Sequence, residues 1–202
     1  MRLMTKSLGF WARKIMHVTM NGSIAILALF VPAMAIRPLT VVGFVLVLVF
    51  ESLRLKTRAK QFVEDTVGPM FKKEEALDYS GLFWAAIGAL IIAQFASQTA
   101  YSYGFAVLAL CDASAATVGK LMHRKPFYLG KTIPGSVTCF IAAFAISFGY
   151  AAAFQLPVSP FLFGGIMAVI VTAIELFSYP FDDNFLILVA AAYGFEIAAA
   201  WM

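Results

Sequence analysis

Seven long apolar stretches constrain the fold of this chain more than any other feature of its sequence. A helix that crosses the hydrocarbon core of a bilayer needs about 20 mostly apolar residues. The stretches that meet this requirement, some marginally, are 18–36, 39–54, 80–96, 102–119, 136–155, 161–178 and 185–201. They predict an all-α polytopic membrane protein, with about seven transmembrane helices in a single domain over residues 1–202.

The composition excludes the soluble alternatives. Hydrophobic residues make up 62% of the chain and charged residues 13%, whereas soluble domains contain about 45–50% apolar and about 25% charged residues. Because so little charge cannot cover a water-facing surface, a soluble globular protein and a disordered protein are both excluded. The two cysteines, Cys111 and Cys139, lie inside apolar stretches and indicate neither a disulfide framework nor a Cys-based metal site.

The distribution of basic residues predicts the orientation. With the N-terminus in the cytoplasm, 14 of the 15 Lys and Arg residues fall on the cytoplasmic side, in 1–17, 54–79 and 120–135, and Arg37 alone lies outside. We therefore expect chemistry at the cytoplasmic face of a multi-pass protein, in a plasma membrane or, in a eukaryote, an ER-type membrane, without a nucleic-acid partner. The basic region runs to His17, too long for an ordinary signal peptide, so we expect the first stretch to be a transmembrane helix.

Some ionisable residues lie within apolar stretches, where a charge at a helix centre costs about 2.5–3.5 kcal/mol. Asp112 has no charged neighbour nearby in sequence and shares a helix face with Gly119. It is interpreted as a metal ligand facing a polar cavity, with a satisfied core Asp as the alternative. Glu51 and Arg54 are three residues apart and can pair on one helix face, either as a structural ion pair or for phosphate binding. The sequence assigns no role to Glu196.

The polar segment after Asp112 reads KLMHRKPFYLGKTIPGS from Lys120 to Ser136. Backbone amides near Gly130 and Gly135, with Lys131 between them, can hold a phosphate chain at the start of the next helix. The segment does not match a Walker A loop. A positive-inside loop without a ligand is the alternative.

Two further groups of polar residues flank the apolar stretches. Arg13 and His17 lie one helical turn apart, and His17 can accept a proton near neutral pH or can be a plain interfacial residue. Glu175 and the turn 182–184, Asp-Asp-Asn, offer hard oxygen ligands of the kind that suit Mg²⁺. A solvated turn is the alternative for the second group.

Four motifs in order carry a family resemblance. They are Arg13-Lys14-x-x-His17; Glu51-x-x-Arg54; Asp112-x-x-Ala115-x-x-x-Gly119 with Lys131-Thr132-x-x-Gly135-Ser136; and Glu175 with Asp182-Asp183-Asn184. Together they resemble the membrane-bound CTP-dependent lipid kinases (dolichol, phytol, farnesol and diacylglycerol kinases), which are related to phosphatidate cytidylyltransferase. Cys111, where the family usually has Gly, and Pro134, where it frequently has an acid, depart from the pattern.

The resemblance implies transfer of the terminal phosphate of CTP, or another nucleoside triphosphate, to the hydroxyl of a lipid alcohol such as a polyprenol, a phytol-like alcohol or diacylglycerol. It implies Mg²⁺ as the cofactor and CTP as the co-substrate. The implied catalytic residues are Asp112, Asp183 and His17, and the implied metal ligands are Asp112, Glu175, Asp182, Asp183 and Asn184. The implied nucleotide-binding residues are Arg13, Lys14, Glu51, Arg54, Gly119, Lys120, Lys131, Thr132, Gly135 and Ser136.

Two other functions remain open from the sequence. A cytidylyltransferase that forms a CDP-lipid needs a similar triphosphate site. A small-solute transporter fits less well, because the loops on the outer side are almost without charge. The sequence does not determine which alcohol is used, which nucleotide base is bound, or whether the protein self-associates into a homo-oligomer.

Overall fold

A computed structural model describes residues 2–56, 79–122, 125–128, 130–178 and 181–200, without the side chains of 2–8 and 56. Within these ranges the chain is helical and contains no strand. The helices are α1 (Arg2–Phe30), α2 (Ala33–Lys56), α3 (Gly81–Phe95), α4 (Gln98–Leu121), α5 (Ile133–Ala153), α6 (Pro160–Phe177) and α7 (Asp183–Ala199). The predicted all-α polytopic bundle is confirmed.

The length and hydropathy of the helices fit a membrane protein. Helices α2, α4, α5 and α6 are long and apolar enough to span a bilayer, and α3 is a shorter apolar helix. Side-chain oxygens of Ser80, Ser97 and Thr132 accept a backbone N–H at the starts of α3, α4 and α5. These caps satisfy amides that have no partner within the helix, so the polar residues that separate the apolar stretches also define where the helices begin.

The boundary between the first two predicted spans, 18–36 and 39–54, was placed too late. Helix α1 ends at Phe30 and α2 begins at Ala33. Pro32 disfavours helical backbone at the residue before it and so ends α1. Pro38 lies inside α2, close enough to its start that few helix hydrogen bonds are lost.

Helix α4 has a central position in the bundle. Helices α1, α5 and α7 pack against it, α6 packs on α5 and α7, and α2 reaches the bundle mainly through α3. Small residues permit these close approaches, as expected for helices packed in lipid. A Cβ at Gly104 of α4 would lie 3.0 Å from the carbonyl oxygen of Leu188 in α7.

The end of the bundle where α4 begins is held by polar contacts to backbone groups. The Arg37 guanidinium donates to the carbonyl oxygens of Ala93 and Gln94 at the end of α3, at 3.2 and 3.1 Å. Glu196 accepts a hydrogen bond from the backbone N–H of Ser97, the N-cap residue of α4. The structure thus assigns Glu196 a role that the sequence left open, because a carboxylate is favourable at a helix N-terminus.

Candidate active site

At the opposite end of the bundle, residues of α1, α4, α5 and α6 and of the loop before α5 line a cavity of about 520 Å³. The C-terminal parts of α4 and α6 and the starts of α5 and α7 meet here, beside the N-terminal half of α1. Seven of the predicted site residues line this cavity: Asp112, Gly119, Lys120, Lys131, Thr132, Gly135 and Glu175. The fold therefore brings the residues of the central motif, and one from the late motif, to the same place.

Asp112 contacts two of the predicted N-terminal residues. Nζ of Lys14 lies 2.6 Å from Oδ2 of Asp112, and Nε2 of His17 lies 3.8 Å from the same oxygen. The His17 Nε2 also lies 3.0 Å from the carbonyl oxygen of Leu108. A carbonyl can only accept a hydrogen bond, so Nε2 carries a proton and Nδ1 is the acceptor atom of the neutral ring. The Arg-Lys-x-x-His and Asp motifs thus form one cluster across α1 and α4.

Lys131 joins the loop before α5 to α6 and α7. Its Nζ lies 2.7 Å from Oε1 of Glu175 and 3.3 Å from Oδ2 of Asp183. Burial lowers the pKa of Lys131, but Asp183, Glu175 and Asp112 together raise the pKa by more, so it lies above its ordinary value. The Lys131 ammonium group is therefore charged at physiological pH and is able to attract phosphate. Ser136 donates a hydrogen bond to Glu175 at 3.5 Å.

The glycines of the central motif allow α4 and α5 to approach each other. A Cβ at Gly119 would lie 2.6 Å from Oγ1 of Thr132, and a Cβ at Gly135 would lie 2.8 Å from the carbonyl oxygen of Ala115. The N–H groups of Gly135 and Ser136 already donate to the Thr132 hydroxyl and carbonyl, respectively. In this arrangement the lysine side chains, rather than those two amides, are the donors available to an anion.

The late Asp-Asp-Asn turn is partly buried. Asp182 is the N-cap of α7, and its Oδ1 accepts hydrogen bonds from the backbone and side-chain nitrogens of Asn184, at 2.9 and 2.7 Å. Asp183 and Asn184 are 9% and 7% exposed, which distinguishes them from the solvated turn that was the alternative. Asp183 contacts Lys131, which lines the cavity. Asp182, by contrast, caps the N-terminus of α7.

Phe10 is a cavity residue that the sequence analysis did not single out. Nζ of Lys120 lies 3.7 Å from the centre of the Phe10 ring, a cation–π distance. The guanidinium carbon of Arg13 lies 5.9 Å from the same ring. The signal was present in the sequence, because Phe10, Lys14 and His17 follow the i, i+4, i+7 spacing of one helix face.

Glu51 and Arg54 lie apart from the residues that line the cavity. Nη2 of Arg54 lies 2.6 Å from Oε2 of Glu51, and the hydroxyl of Ser80 donates to the other oxygen of that carboxylate. Glu51 and Arg54 are 1% and 4% exposed. Since Ser80 is the N-cap of α3, the pair ties the end of α2 to the start of α3. This geometry favours the structural alternative for the pair.

Two of the five predicted metal ligands are placed where they could bind one divalent cation. Asp112 and Glu175 both line it, and Mg²⁺ is commonly held by one or two carboxylates together with substrate phosphates. The structure does not gather the five predicted ligands at one point. In the part of the chain that it describes, no three His, Cys, Asp or Glu side chains lie together as a metal-binding group. The residues present therefore fit a Mg²⁺ site in which two carboxylates bind the ion and phosphate oxygens of the substrate supply further ligands.

Two curated proteins are similar to this chain. A protein of Eremothecium gossypii named CTP-dependent diacylglycerol kinase 1 is 30% identical over 176 aligned residues, which cover 75% of this chain and 55% of that protein. A Saccharomyces cerevisiae protein of the same name is 27% identical over 150 residues, with 63% and 51% covered. The chain spans about half the length of these relatives. No protein-family profile and no solved structure matches it.

Proposed function

From the premise that this chain is a relative of the CTP-dependent lipid kinases, we propose that it transfers the terminal phosphate of CTP to the hydroxyl of a membrane lipid alcohol at the cytoplasmic face. Diacylglycerol is the alcohol to test first, since both relatives carry it in their names. Because the chain spans only part of each relative, its activity needs a direct assay.

The observation that carries the proposal is the mixture of lysines and carboxylates around one cavity. Lys120 and Lys131 line it together with Asp112 and Glu175. Phosphoryl transfer depends mainly on positioning and on stabilising charge over the phosphate oxygens, and needs little covalent chemistry from the protein. The volume of about 520 Å³ falls in the range of about 300–1,000 Å³ that is usual for small-molecule sites.

The chemistry of the side chains suggests how they divide the work. Lys131 and Lys120 bind and neutralise phosphate oxygens, and Lys14 supplies a third ammonium group beside Asp112. Asp112 and Glu175 would hold Mg²⁺, which when bound would supply positive charge against the transferred phosphate. Asp183 keeps Lys131 oriented, because Nζ of Lys131 lies between the carboxylates of Asp183 and Glu175.

The acceptor hydroxyl must lose a proton during the transfer. Its oxygen attacks the terminal phosphorus, the bond from that phosphorus to the bridging oxygen breaks, and CDP leaves. His17 and Asp183 are the two candidate bases. Nδ1 of His17 suits this task, because Nε2 is already engaged with the Leu108 carbonyl and Asp183 is engaged with Lys131.

Labelled CTP tests the proposal directly. The purified full chain is reconstituted in phosphatidylcholine vesicles that contain dioleoylglycerol, with Mg²⁺ and CTP labelled at the terminal phosphate. We expect label in the lipid product, and no label in the lipid for an Asp112→Asn variant prepared in parallel. In parallel vesicles that contain dioleoylphosphatidate instead of dioleoylglycerol, label released as pyrophosphate would identify a cytidylyltransferase, because a CDP-lipid forms only on a lipid phosphate. A panel of lipid alcohols under the same conditions then determines the preferred acceptor.

A further inference from the structure

A second cavity, the α1–α2 groove, opens between helices that are consecutive in the chain. It has a volume of about 480 Å³ and is walled by α1 and α2, with α3 and α4 at its base. Leucines on both walls are exposed: Leu27 59%, Leu39 57% and Leu46 64%. Among the described residues α1 and α2 are not closely packed, so the groove needs an apolar occupant.

The groove runs along α1 away from the candidate active site. Its lining extends from Met20 in α1 to Val31, the residue that follows this helix, a rise of about 16 Å at helical spacing. This is about half of the ~30 Å hydrocarbon thickness, which corresponds to the depth of one leaflet. The end at Met20 lies less than one turn from His17, so the groove starts beside the Lys14–Asp112 cluster.

A buried polar side chain lies at that end of the groove. Asn21 lines the groove and is 1% exposed, and its Nδ2 donates to the carbonyl oxygen of His17 at 2.9 Å. Its Oδ1 has no hydrogen-bond partner among the described residues. By contrast, the hydroxyls of Thr40 and Tyr101, also in the groove, bond to each other at 2.9 Å.

An acceptor atom left without a donor in an apolar environment is costly, about 1–3 kcal/mol by mutational measurement. A hydrocarbon chain fills an apolar groove but offers no donor. An occupant with both a tail and a hydroxyl meets the two requirements, because the tail covers the leucines and the hydroxyl can donate to Asn21.

We propose that the α1–α2 groove holds the hydrocarbon tail of the acceptor lipid, and that Asn21 Oδ1 accepts a hydrogen bond from the lipid hydroxyl. This inference rests on the proposed function and names the place where its second substrate binds. Asn21 lies four residues after His17 on the same face of α1, so the hydroxyl binds about one helical turn from the candidate base. Because the hydroxyl has a single proton, it leaves Asn21 Oδ1 before His17 accepts that proton. Asn21 is thus a positioning residue for the acceptor.

Gly43 provides a way to fill the groove without disturbing its walls. It lines the groove, and a Cβ added to it would meet no atom within 4 Å. Gly149 in α5 has the same open surroundings but does not line the groove. We expect Gly43→Leu to raise the KM for dioleoylglycerol about tenfold or more, with the KM for CTP unchanged. Gly149→Leu is the matched control and should leave both constants unchanged.

Photolabelling locates the tail independently of catalysis. The full chain in phosphatidylcholine vesicles receives a diacylglycerol with a diazirine in one acyl chain, without CTP, and labelled residues are mapped by mass spectrometry. We expect label on α1 and α2 that Gly43→Leu suppresses and Gly149→Leu does not. Label confined to other helices, or label that Gly43→Leu leaves unchanged, overturns the inference. A groove filled by residues 57–78 or by a second copy would give that result.

Competition tests the contact at Asn21. In the parent chain, unlabelled dioleoylglycerol should displace the probe better than its methyl ether, which lacks the donor. Asn21→Leu should remove this preference while the label stays on α1 and α2, which a purely structural role would not predict. Equal competition by the ether in the parent overturns the role of Asn21.

The two proposals fail in different ways. A chain that labels at α1 and α2 but transfers no phosphate supports the groove and refutes the kinase activity. A chain that phosphorylates diacylglycerol with the same KM in the parent and in Gly43→Leu supports the activity and refutes the groove.

Discussion

At the scale of single residues, two buried ion pairs of the chain differ in position: one lies at the cavity and the other outside its lining. A buried ion pair gains little net stability, since desolvation of both groups offsets their attraction, but removal of one partner is costly. Asp112 and Lys14 form such a pair at the cavity, and Glu51 and Arg54 form another outside it. Replacing one acid in each pair therefore compares a pair inside the site with one outside it.

We expect Asp112→Asn to lower turnover by at least about tenfold, which corresponds to about 1.4 kcal/mol of transition-state stabilisation. The amide keeps the shape of the side chain but loses the charge that pairs with Lys14 and that, in the proposed function, would hold Mg²⁺. Phosphate transfer to dioleoylglycerol measures the effect, and a thermal melt in detergent checks the fold. Turnover near that of the parent would identify Asp112 as a structural residue.

Glu51→Gln should have the opposite profile. It removes the negative charge to which Nε and Nη2 of Arg54 donate, and breaking a buried pair costs about 3–5 kcal/mol, so we expect a lower melting temperature. Because neither residue lines the cavity, the KM for CTP should stay at the parent value in the fraction that remains folded. A raised KM for CTP with unchanged stability would restore the phosphate-binding alternative.

The late acidic turn allows a graded comparison. Asp183→Asn should lower turnover, because Lys131 loses one of the two carboxylates that orient its ammonium group. Asp182→Asn should have a small effect, because Asn caps a helix about as well as Asp. Asn184→Ala should disturb activity less than Asp183→Asn, since an amide carries no charge. Phosphate transfer at several Mg²⁺ concentrations measures this order, and three curves that overlie the parent curve would show that the turn is not needed for activity.

At the scale of elements, the start of α5 depends on close contact with α4. Gly135→Ala would place a methyl group 2.8 Å from the backbone oxygen of Ala115, which cannot move without shifting α4. Overpacking of this kind costs about 1–3 kcal/mol, so we expect a lower melting temperature and loss of activity.

Gly149→Ala is the matched control for Gly135→Ala, because Gly149 lies in the same helix with open space around it. Its alanine variant should melt at the same temperature or higher, since Ala is the better helix former by about 1 kcal/mol. If Gly135→Ala behaves like Gly149→Ala, the close approach of α4 and α5 is not required.

At the scale of the whole molecule, the polar clusters lie at the two ends of the bundle. The cavity with Lys14, Lys131 and Asp183 is at one end, and Arg37 and Glu196 bind backbone groups at the other. A chain that alternates through the membrane places the first end on the side of the N-terminus.

We therefore expect an N-terminal reporter in the cytoplasm and a C-terminal reporter on the opposite side. The positive-inside distribution of Lys and Arg is the physical basis for this orientation. Protease protection in sealed vesicles measures both positions. A C-terminal reporter in the cytoplasm would contradict an odd number of crossings and would require one predicted span to be removed.

The sequence by itself determined the helical class, the approximate spans and the identity of most cavity residues. Apolar runs select helices wherever backbone groups must be satisfied without water, and ionisable residues at the span ends stand out because they are costly there. The predicted boundary between the first two spans was wrong, and Phe10 was not predicted as a site residue. Pro32 and the spacing of Phe10 with Lys14 and His17 were signals for these two features. These properties depend on residues within a few helical turns of each other.

Only the tertiary structure decided which polar residues meet. Lys14 and Asp112 are 98 positions apart, and Lys131 and Asp183 are 52 apart, so their contacts depend on how α1, α5 and α7 pack around α4. Packing also left Glu51 and Arg54 outside the set of residues that line the cavity. It gave Asp182 a capping role and left Asn21 with an unpaired oxygen in the α1–α2 groove. The physical reason is that local hydropathy determines which segments become helices. Ion pairs and cavities form between residues of different helices, and they depend on how small residues let those helices pack.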